Sequence, residues 1–166
     1  MSVTDATIAL FLENAAKSAA VVHRAAGAAK LRSILSEIVA QDADVFCPCV
    51  TELEQAAAAG GVRLVPGYAS ARVTVEEVSA AIAETGSIVC TSSGGKAVQA
   101  SLLPAHHVAL VPRDRIFATL DDYFAGQAAA PPTNLTIITG PSRTADIELN
   151  LVIGVHGPER LDIIVV

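Results

Sequence analysis

Polar side chains that could bind or transform a small anion are concentrated in the last third of the chain. An apolar run, Leu135 to Ile138, leads into Gly140-Pro141, and hydroxyl, guanidinium, carboxylate and imidazole groups follow. These groups belong to Ser142, Arg143, Thr144, Asp146, Glu148 and His156. A buried strand whose carboxyl end opens into such a loop is typical of the ligand crevice of open α/β sheets. The sequence therefore predicts an anion-binding loop after this strand.

Arg143 is the first candidate for contacting the anion. Its planar guanidinium matches a carboxylate or a phosphate through two parallel hydrogen bonds, and Ser142 and Thr144 add hydroxyl or amide donors. The alternative is an ion pair with Asp146 or Glu148 that braces the loop. The residue types leave both interpretations open.

Two acids and one histidine of the same stretch are candidates for acid-base chemistry. Asp146 and Glu148 share a face of an extended segment and could raise each other's pKa, although solvated loop carboxylates are the alternative. His156 could act as a general base toward a hydroxy acid, because its ordinary pKa lies near neutrality. The other histidines are interpreted as structural. No metal site is predicted, since H-x-x-x-H and H-E-x-x-H spacings are absent.

Two further stretches contain candidate groups. Glu84 lies between an apolar run and Thr85-Gly86, so it is either a catalytic carboxylate or a turn acid that bonds nearby amides. Residues 92–96 (SSGGK) lack the spacing of a phosphate loop and indicate a glycine-rich turn with a solvated Lys96. No G-x-G-x-x-G follows a strand, so dinucleotide binding has no support.

Composition favours a single soluble domain over residues 1–166. Hydrophobic residues make up 52% of the chain, but its apolar runs are far shorter than the ~20 residues that span a bilayer. The N-terminal stretch lacks a basic region, so we expect a cytoplasmic protein. A net charge of -6 without a basic stripe predicts no nucleic-acid partner and no membrane insertion. Cys47, Cys49 and Cys90 are interpreted as reduced, buried small hydrophobes.

Alternating helix and strand patterns in the first half predict the fold class. Helices with apolar faces at Ile8, Leu12, Ala15, Ala16 and Ala19, and at Leu31, Ile34, Leu35 and Ile38, alternate with short strands. The strands are predicted over 20–23, 44–47 and 62–65, as neighbours in one sheet. We expect a single three-layer α/β domain, a mainly parallel sheet with helices on both faces; the alternative is a looser α+β arrangement.

The second half begins with an ambiguous segment. Residues 74–77 (TVEE) fit a capping box and predict the start of a short helix. Residues 81–84 and 87–91 favour a hairpin around Thr85-Gly86, although continuation of the helix is possible. The remaining predictions are helices over 97–103 and 119–125, strands over 107–111 and 134–139, and a closing strand pair over 149–155 and 161–166.

Three separated motifs carry a family resemblance. AIAETGSIV begins at Ala81, SLLPAHH begins at Ser101, and ITGPSRTADIE is followed by GVHGP in the last third. Over residues 70–166 the chain resembles the LUD-domain family, specifically its lactate-utilisation protein C branch. The resemblance implies a fold like the NagB/RpiA/CoA-transferase group.

The resemblance also implies a role in an iron-sulfur-dependent oxidation of L-lactate to pyruvate. The chain would be a component of that system, with a small carboxylate ligand, no redox cofactor of its own, and iron-sulfur clusters in partner proteins. CoA transferases use a glutamate nucleophile, but they are too distant for that role to be transferred to Glu84. The alternative is a stand-alone enzyme or binding protein for a small carboxylate, phosphate or CoA ester.

Overall fold

The computed structural model of the protein describes residues 3–41, 43–92, 96–127, 131–145, 151–153 and 157–166. Within these residues the α-helices are α1 (Asp5–Lys17), α2 (Ala28–Ile38), α3 (Glu52–Ala58), α4 (Gln99–Leu102) and α5 (Leu120–Gln127). The strands are β1 (Val21–Arg24), β2 (Asp44–Phe46), β3 (Arg63–Leu64), β4 (Val73–Glu77), β5 (Ala80–Ile82), β6 (Ser87–Thr91), β7 (His106–Val111), β8 (Ile116–Phe117), β9 (Leu135–Ile138), β10 (Arg143–Ala145), β11 (Leu151–Ile153) and β12 (Arg160–Val165).

The larger sheet is parallel throughout, with the strand order β1-β12-β7-β4-β2-β3. A four-stranded sheet has the order β8-β5-β6-β9, and β10 pairs with β11 as a separate hairpin. The predicted α/β class is confirmed. All three strands predicted in the first half lie in the parallel sheet, but only β2 and β3 are neighbours. The expected adjacency of β1 to them is wrong, because β12, β7 and β4 lie between.

Alternate residues of the central strands bury their side chains on opposite faces of the parallel sheet. Ala109 of β7 and Ile163 of β12 pack against α1 and the four-stranded sheet, while Val108 and Ile164 pack against α2 and α3. A third core, which includes Ile82 and Tyr123, joins the far side of the four-stranded sheet to α5. Helices therefore cover both faces of the parallel sheet, as predicted, and the four-stranded sheet adds a layer.

The two long helices follow their apolar periodicity. Thr4 caps α1 by accepting a hydrogen bond from the Thr7 amide at 3.2 Å. Buried side chains of α1 are Ile8, Phe11, Leu12 and Ala15. Leu31, Ile34 and Leu35 of α2 are buried as predicted. Ala16 is exposed, contrary to the prediction, because Phe11 occupies the inner face that the alanine was expected to share. None of the described helices has the length and apolar character needed to cross a bilayer.

The predicted hairpin is present and belongs to the smaller sheet. β5 and β6 pair antiparallel around a turn in which Gly86 has a φ of +68°. A side chain at Gly86 would place its Cβ 2.1 Å from the Ala15 amide nitrogen. Glycine is therefore required here by both backbone conformation and close approach to α1.

The predicted helix start at residues 74–77 is wrong, since these residues form most of β4. Val73 and Val75 enter the core beneath α2 and α3, and β4 pairs with β2 on one side and β7 on the other. Burial of β-branched side chains in a central strand outweighs the local capping pattern.

The predicted closing strand pair is also wrong. The segment over 161–166 forms β12, whose residues after Arg160 are buried through Val165. Such a strand belongs in the middle of a parallel sheet, and β12 lies between β1 and β7. β11 pairs instead with β10.

Candidate functional site

A cavity of about 500 Å³ lies beside the loop that follows β9. Residues 136–143 form one wall, and the remaining lining residues are Ser18, Leu102, Gly157 and Pro158. Ser142 and Arg143, two of the predicted anion-binding residues, are part of this lining. The lining combines hydroxyl, guanidinium and apolar groups.

The loop is held in place by a close backbone contact. Gly140 has a φ of +75°, and a Cβ there would lie 2.0 Å from the Ser18 carbonyl oxygen. The Ser142 amide donates to the Pro158 carbonyl at 2.8 Å, which joins the two Gly-Pro pairs of the sequence. The cavity wall is therefore formed by backbone that only glycine can adopt at residue 140.

The hairpin turn at residues 84–87 lies next to the same loop. Ser87 and Thr139 share a hydrogen bond of 2.7 Å between their hydroxyls, and the Ser87 hydroxyl also lies 2.7 Å from that of Thr85. Because β6 and β9 are antiparallel neighbours, the ETGS turn meets the TGPSR loop. Leu102, from the third sequence motif, lines the cavity. Three motifs separated in sequence are thus adjacent in space.

The predicted substrate-binding residues differ in how the structure places them. Arg143 is exposed at the start of β10, and its side chain makes no hydrogen bond or ion pair with the other described residues. Ser142 is half-buried. Thr144 lies opposite Val152 in the β10-β11 hairpin. A cationic side chain at the edge of a cavity can receive an anion, so the binding prediction stands as a prediction.

The remaining candidate catalytic residues divide into two groups. Asp146, Glu148 and His156 lie outside the described residues, so their roles remain predictions. The Glu84 carboxylate accepts a hydrogen bond of 2.6 Å from the Leu120 amide at the start of α5. Asn14 donates to the Glu84 carbonyl at 3.1 Å. This geometry is the one expected for a turn acid that bonds nearby amides.

The cavity does not occupy the edge of the sheet that the sequence pattern indicated. β9 belongs to the four-stranded sheet, so the crevice rule for open parallel sheets does not apply to its loop. Ser18, Leu102 and Pro158 each precede a strand of the parallel sheet, namely β1, β7 and β12. The cavity therefore lies at the amino end of that sheet.

The carboxyl end of the parallel sheet contains a charged cluster that the sequence analysis missed. Lys96 is only 14% exposed, and its Nζ lies 2.7 Å from the fully buried Glu54 carboxylate. Lys96 also donates to the Glu77 carbonyl, and Arg115 pairs with the Glu77 carboxylate at 2.8 Å. The predicted solvation of Lys96 is wrong, because Glu54 is a buried acceptor for it.

Glu54 is the centre of this cluster. Its Oε2 accepts from the Val50 amide at 2.9 Å and the Thr51 amide at 3.3 Å, and its Oε1 accepts from the Glu77 amide at 2.9 Å. The T-x-x-E spacing of Thr51 and Glu54 is the capping box that begins α3. That spacing was the available signal, but it does not reveal the long-range bonds to β4 and Lys96.

A second network surrounds Asp162 of β12. The buried carboxylate lies 2.7 Å from Nε2 of both His23 and His106, and it accepts from Arg160 at 2.6 Å. Burial would raise the pKa of Asp162, but hydrogen bonds from His106, Arg160 and His23 outweigh burial and lower it to about 2. The two histidines hold neighbouring strands together, in accord with the structural role expected of them.

The fold places the chain among α/β proteins with a mainly parallel sheet. Comparison with known proteins gives its family. A solved structure from Deinococcus radiodurans, described as a DUF162 family protein, superposes with a TM-score of 0.72 over 96% of both chains at 24% identity. This similarity places the chain in the same α/β fold class. The LUD domain model matches residues 67–166. The chain belongs to the LUD-domain family.

Curated relatives of this chain include several proteins named lactate utilization protein C. One from Halalkalibacterium halodurans is 36% identical over 112 residues, which cover 64% of this chain and 49% of the relative. Another from Macrococcus caseolyticus is 38% identical over 104 residues, covering 59% of this chain and 44% of the relative. The matched region spans about half the length of these relatives or less.

Proposed function

We propose that this protein is a component of a cytoplasmic system that oxidises L-lactate to pyruvate during lactate utilisation. The observation that carries the proposal is the LUD match over residues 67–166, together with relatives named for lactate utilisation. L-Lactate loses two electrons and two protons when it becomes pyruvate. In this proposal the electrons pass to iron-sulfur clusters in partner proteins, and the chain has no redox cofactor of its own.

The role of this chain in the proposal is to bind the carboxylate of lactate or pyruvate. Arg143 provides the guanidinium at the edge of the cavity, and Ser142 adds a hydroxyl beside it. The guanidinium of an arginine offers five N–H donors in a planar fork, which matches the two oxygens of a carboxylate. Asp146, Glu148 and His156 remain candidates for acid-base steps, and Glu84 is a weaker candidate because its carboxylate bonds the Leu120 amide.

Affinity purification tests the proposed assembly. A tagged chain is isolated from its own organism after growth on L-lactate and, as a control, after growth on another carbon source. We expect iron-containing partners to co-purify after growth on lactate, and we expect the eluate to reduce an electron-accepting dye when L-lactate is added. Isolation of the chain alone, together with normal growth of a deletion strain on lactate, would contradict the proposal.

A second proposed function rests on the cavity, whose lining includes the guanidinium of Arg143 and the hydroxyl of Ser142. The domain would then be a stand-alone enzyme or binding protein for a small carboxylate, phosphate or CoA ester. Thermal unfolding of the purified chain separates the two proposals. A stand-alone ligand present at 100 times its dissociation constant adds about 2.7 kcal/mol to the free energy of unfolding. The first proposal predicts such a shift only with lactate or pyruvate.

A further inference from the structure

A cluster of possible metal ligands lies between the two sheets. Glu76 of β4, Cys90 of β6 and His107 of β7 each place one ligand atom within 4.8 Å of the other two. All three side chains are buried, and none of them lines the cavity. The burial of these polar groups needs an explanation, because a carboxylate or an imidazole in a protein core is costly unless it has a hydrogen-bond or charge partner.

The imidazole of His107 is the least satisfied group in the cluster. The residue has no exposed surface, and neither ring nitrogen has a hydrogen-bond partner in the part of the chain that the structure describes. Its Nε2 lies 3.1 Å from Oε1 of Glu76, but this contact lacks hydrogen-bond geometry. Buried polar groups are normally hydrogen-bonded, so an imidazole that faces a carboxylate and a thiol without a well-formed hydrogen bond is a candidate metal ligand.

The chemistry of the three donor groups indicates which metal ion they would bind. Thiolate, imidazole and carboxylate are the groups that bind Zn²⁺, with bond lengths of about 2.0 to 2.3 Å. In a tetrahedral site these lengths place the ligand atoms roughly 3.4 to 3.6 Å apart. The ligand atoms all lie within 4.8 Å of one another, so binding an ion requires them to move closer together.

The electrostatics of the cluster are compatible with a divalent cation. A thiol that coordinates a metal ion loses its proton, so Cys90 would bind as a thiolate. One carboxylate and one thiolate balance the two charges of Zn²⁺, while His107 binds as a neutral ring.

We propose that Glu76, Cys90 and His107 bind one Zn²⁺ that joins the parallel sheet to the four-stranded sheet. The Ser101 hydroxyl hydrogen-bonds Oε1 of Glu76, so it orients this ligand from α4. A water molecule completes the four-coordinate shell. The ion is structural, because its ligands come from β4, β6 and β7 and are closed off from solvent.

Metal analysis of the full chain tests the site. The protein is purified from cells supplied with Zn²⁺, and a second sample is unfolded, stripped with a chelator and refolded with Co²⁺. We expect one zinc per chain, and in the second sample we expect the absorption bands of tetrahedral Co²⁺ with a thiolate ligand. A raised thermal unfolding midpoint should accompany either metal. Wild-type protein without zinc and without these cobalt bands would overturn the proposal, whatever the variants do.

Two cysteine variants assign the ligand. Cys90→Ala replaces a buried thiol by another small side chain and should abolish the thiolate-to-cobalt band and the bound zinc. Cys49→Ala removes a half-buried thiol outside the cluster and should retain both. His107→Gln should reduce zinc content, with circular dichroism as the check on folding. A cobalt-thiolate band that persists in Cys90→Ala would refute the assignment.

Discussion

Asp162 shows how its neighbours determine the charge of one buried carboxylate. A carboxyl group has a pKa of about 3.9 in an unfolded chain, and the bonds from His23, His106 and Arg160 lower it to about 2 in the fold. Because the folded pKa is the lower one, the ionised group stabilises the fold above about pH 4. This contribution is lost as the pH falls from about 4 to 2.

Asp162→Asn should remove this pH dependence. We expect the wild-type free energy of unfolding to fall by about 1 to 2 kcal/mol more than that of the variant between pH 4 and 2. Urea unfolding followed by circular dichroism at both pH values measures the difference. Parallel losses in the two proteins would show that the network around Asp162 does not depend on its charge.

Lys96 and Glu54 form a buried ion pair whose removal should be costly. Lys96→Met keeps the length of the side chain but leaves the Glu54 carboxylate without its cation, and breaking such a pair costs about 3 to 5 kcal/mol. Urea unfolding measures the loss. Lys17→Met is the matched control, because Lys17 is 66% exposed and pairs with an exposed Glu13. The urea unfolding midpoint of this variant should equal that of the wild type. A Lys96→Met protein as stable as wild type would indicate that Lys96 is solvated after all.

At the scale of elements, the contact between the β9 loop and the end of α1 sets the cavity wall. An alanine at residue 140 would combine a positive φ, which costs roughly 1 to 2 kcal/mol, with a Cβ 2.0 Å from the Ser18 carbonyl oxygen. Gly140→Ala should therefore lose at least twice the stability lost by Gly61→Ala. Gly61 also has a positive φ, but its Cβ would meet nothing within 4 Å. Equal losses of stability in Gly140→Ala and Gly61→Ala, measured by urea unfolding, would mean that the β9 loop can move away from Ser18 without a loss of stability.

Elements whose local pattern agrees with their burial could be predicted from the sequence. The β5-β6 hairpin followed from Thr85-Gly86 between apolar runs, and α2 followed from its apolar periodicity. β4 could not be predicted, because TVEE fits a helix start and only burial between β2 and β7 makes it a strand. The burial of Lys96 could not be predicted either, because its partners Glu54 and Glu77 are distant from it in sequence. The loop after β9 was predicted to bind an anion from its residue types, and that remains a prediction, but its position at the amino end of the parallel sheet depends on topology.

At the scale of the whole molecule, the two sheets share one core. Ile88 and Cys90 of the four-stranded sheet pack in the same hydrophobic cluster as Ala109, Ile163 and Phe11. We therefore expect the chain to unfold as a single cooperative unit. Tyrosine fluorescence and far-UV circular dichroism should give coincident urea transitions. Two separate transitions would show that the four-stranded sheet and the parallel sheet are independent domains.

The central claim is that this chain serves lactate utilisation through a carboxylate bound at Arg143. Growth on L-lactate as the only carbon source tests it most directly, in a deletion strain that carries wild-type, Arg143→Lys or Arg63→Lys protein at equal levels. Lysine keeps the charge but loses the paired hydrogen bonds of a guanidinium. Arg63 is an exposed arginine of the edge strand β3 and does not line the cavity. We predict slow growth with Arg143→Lys and full growth with Arg63→Lys, whereas full growth with Arg143→Lys, or of the deletion strain itself, would contradict the claim.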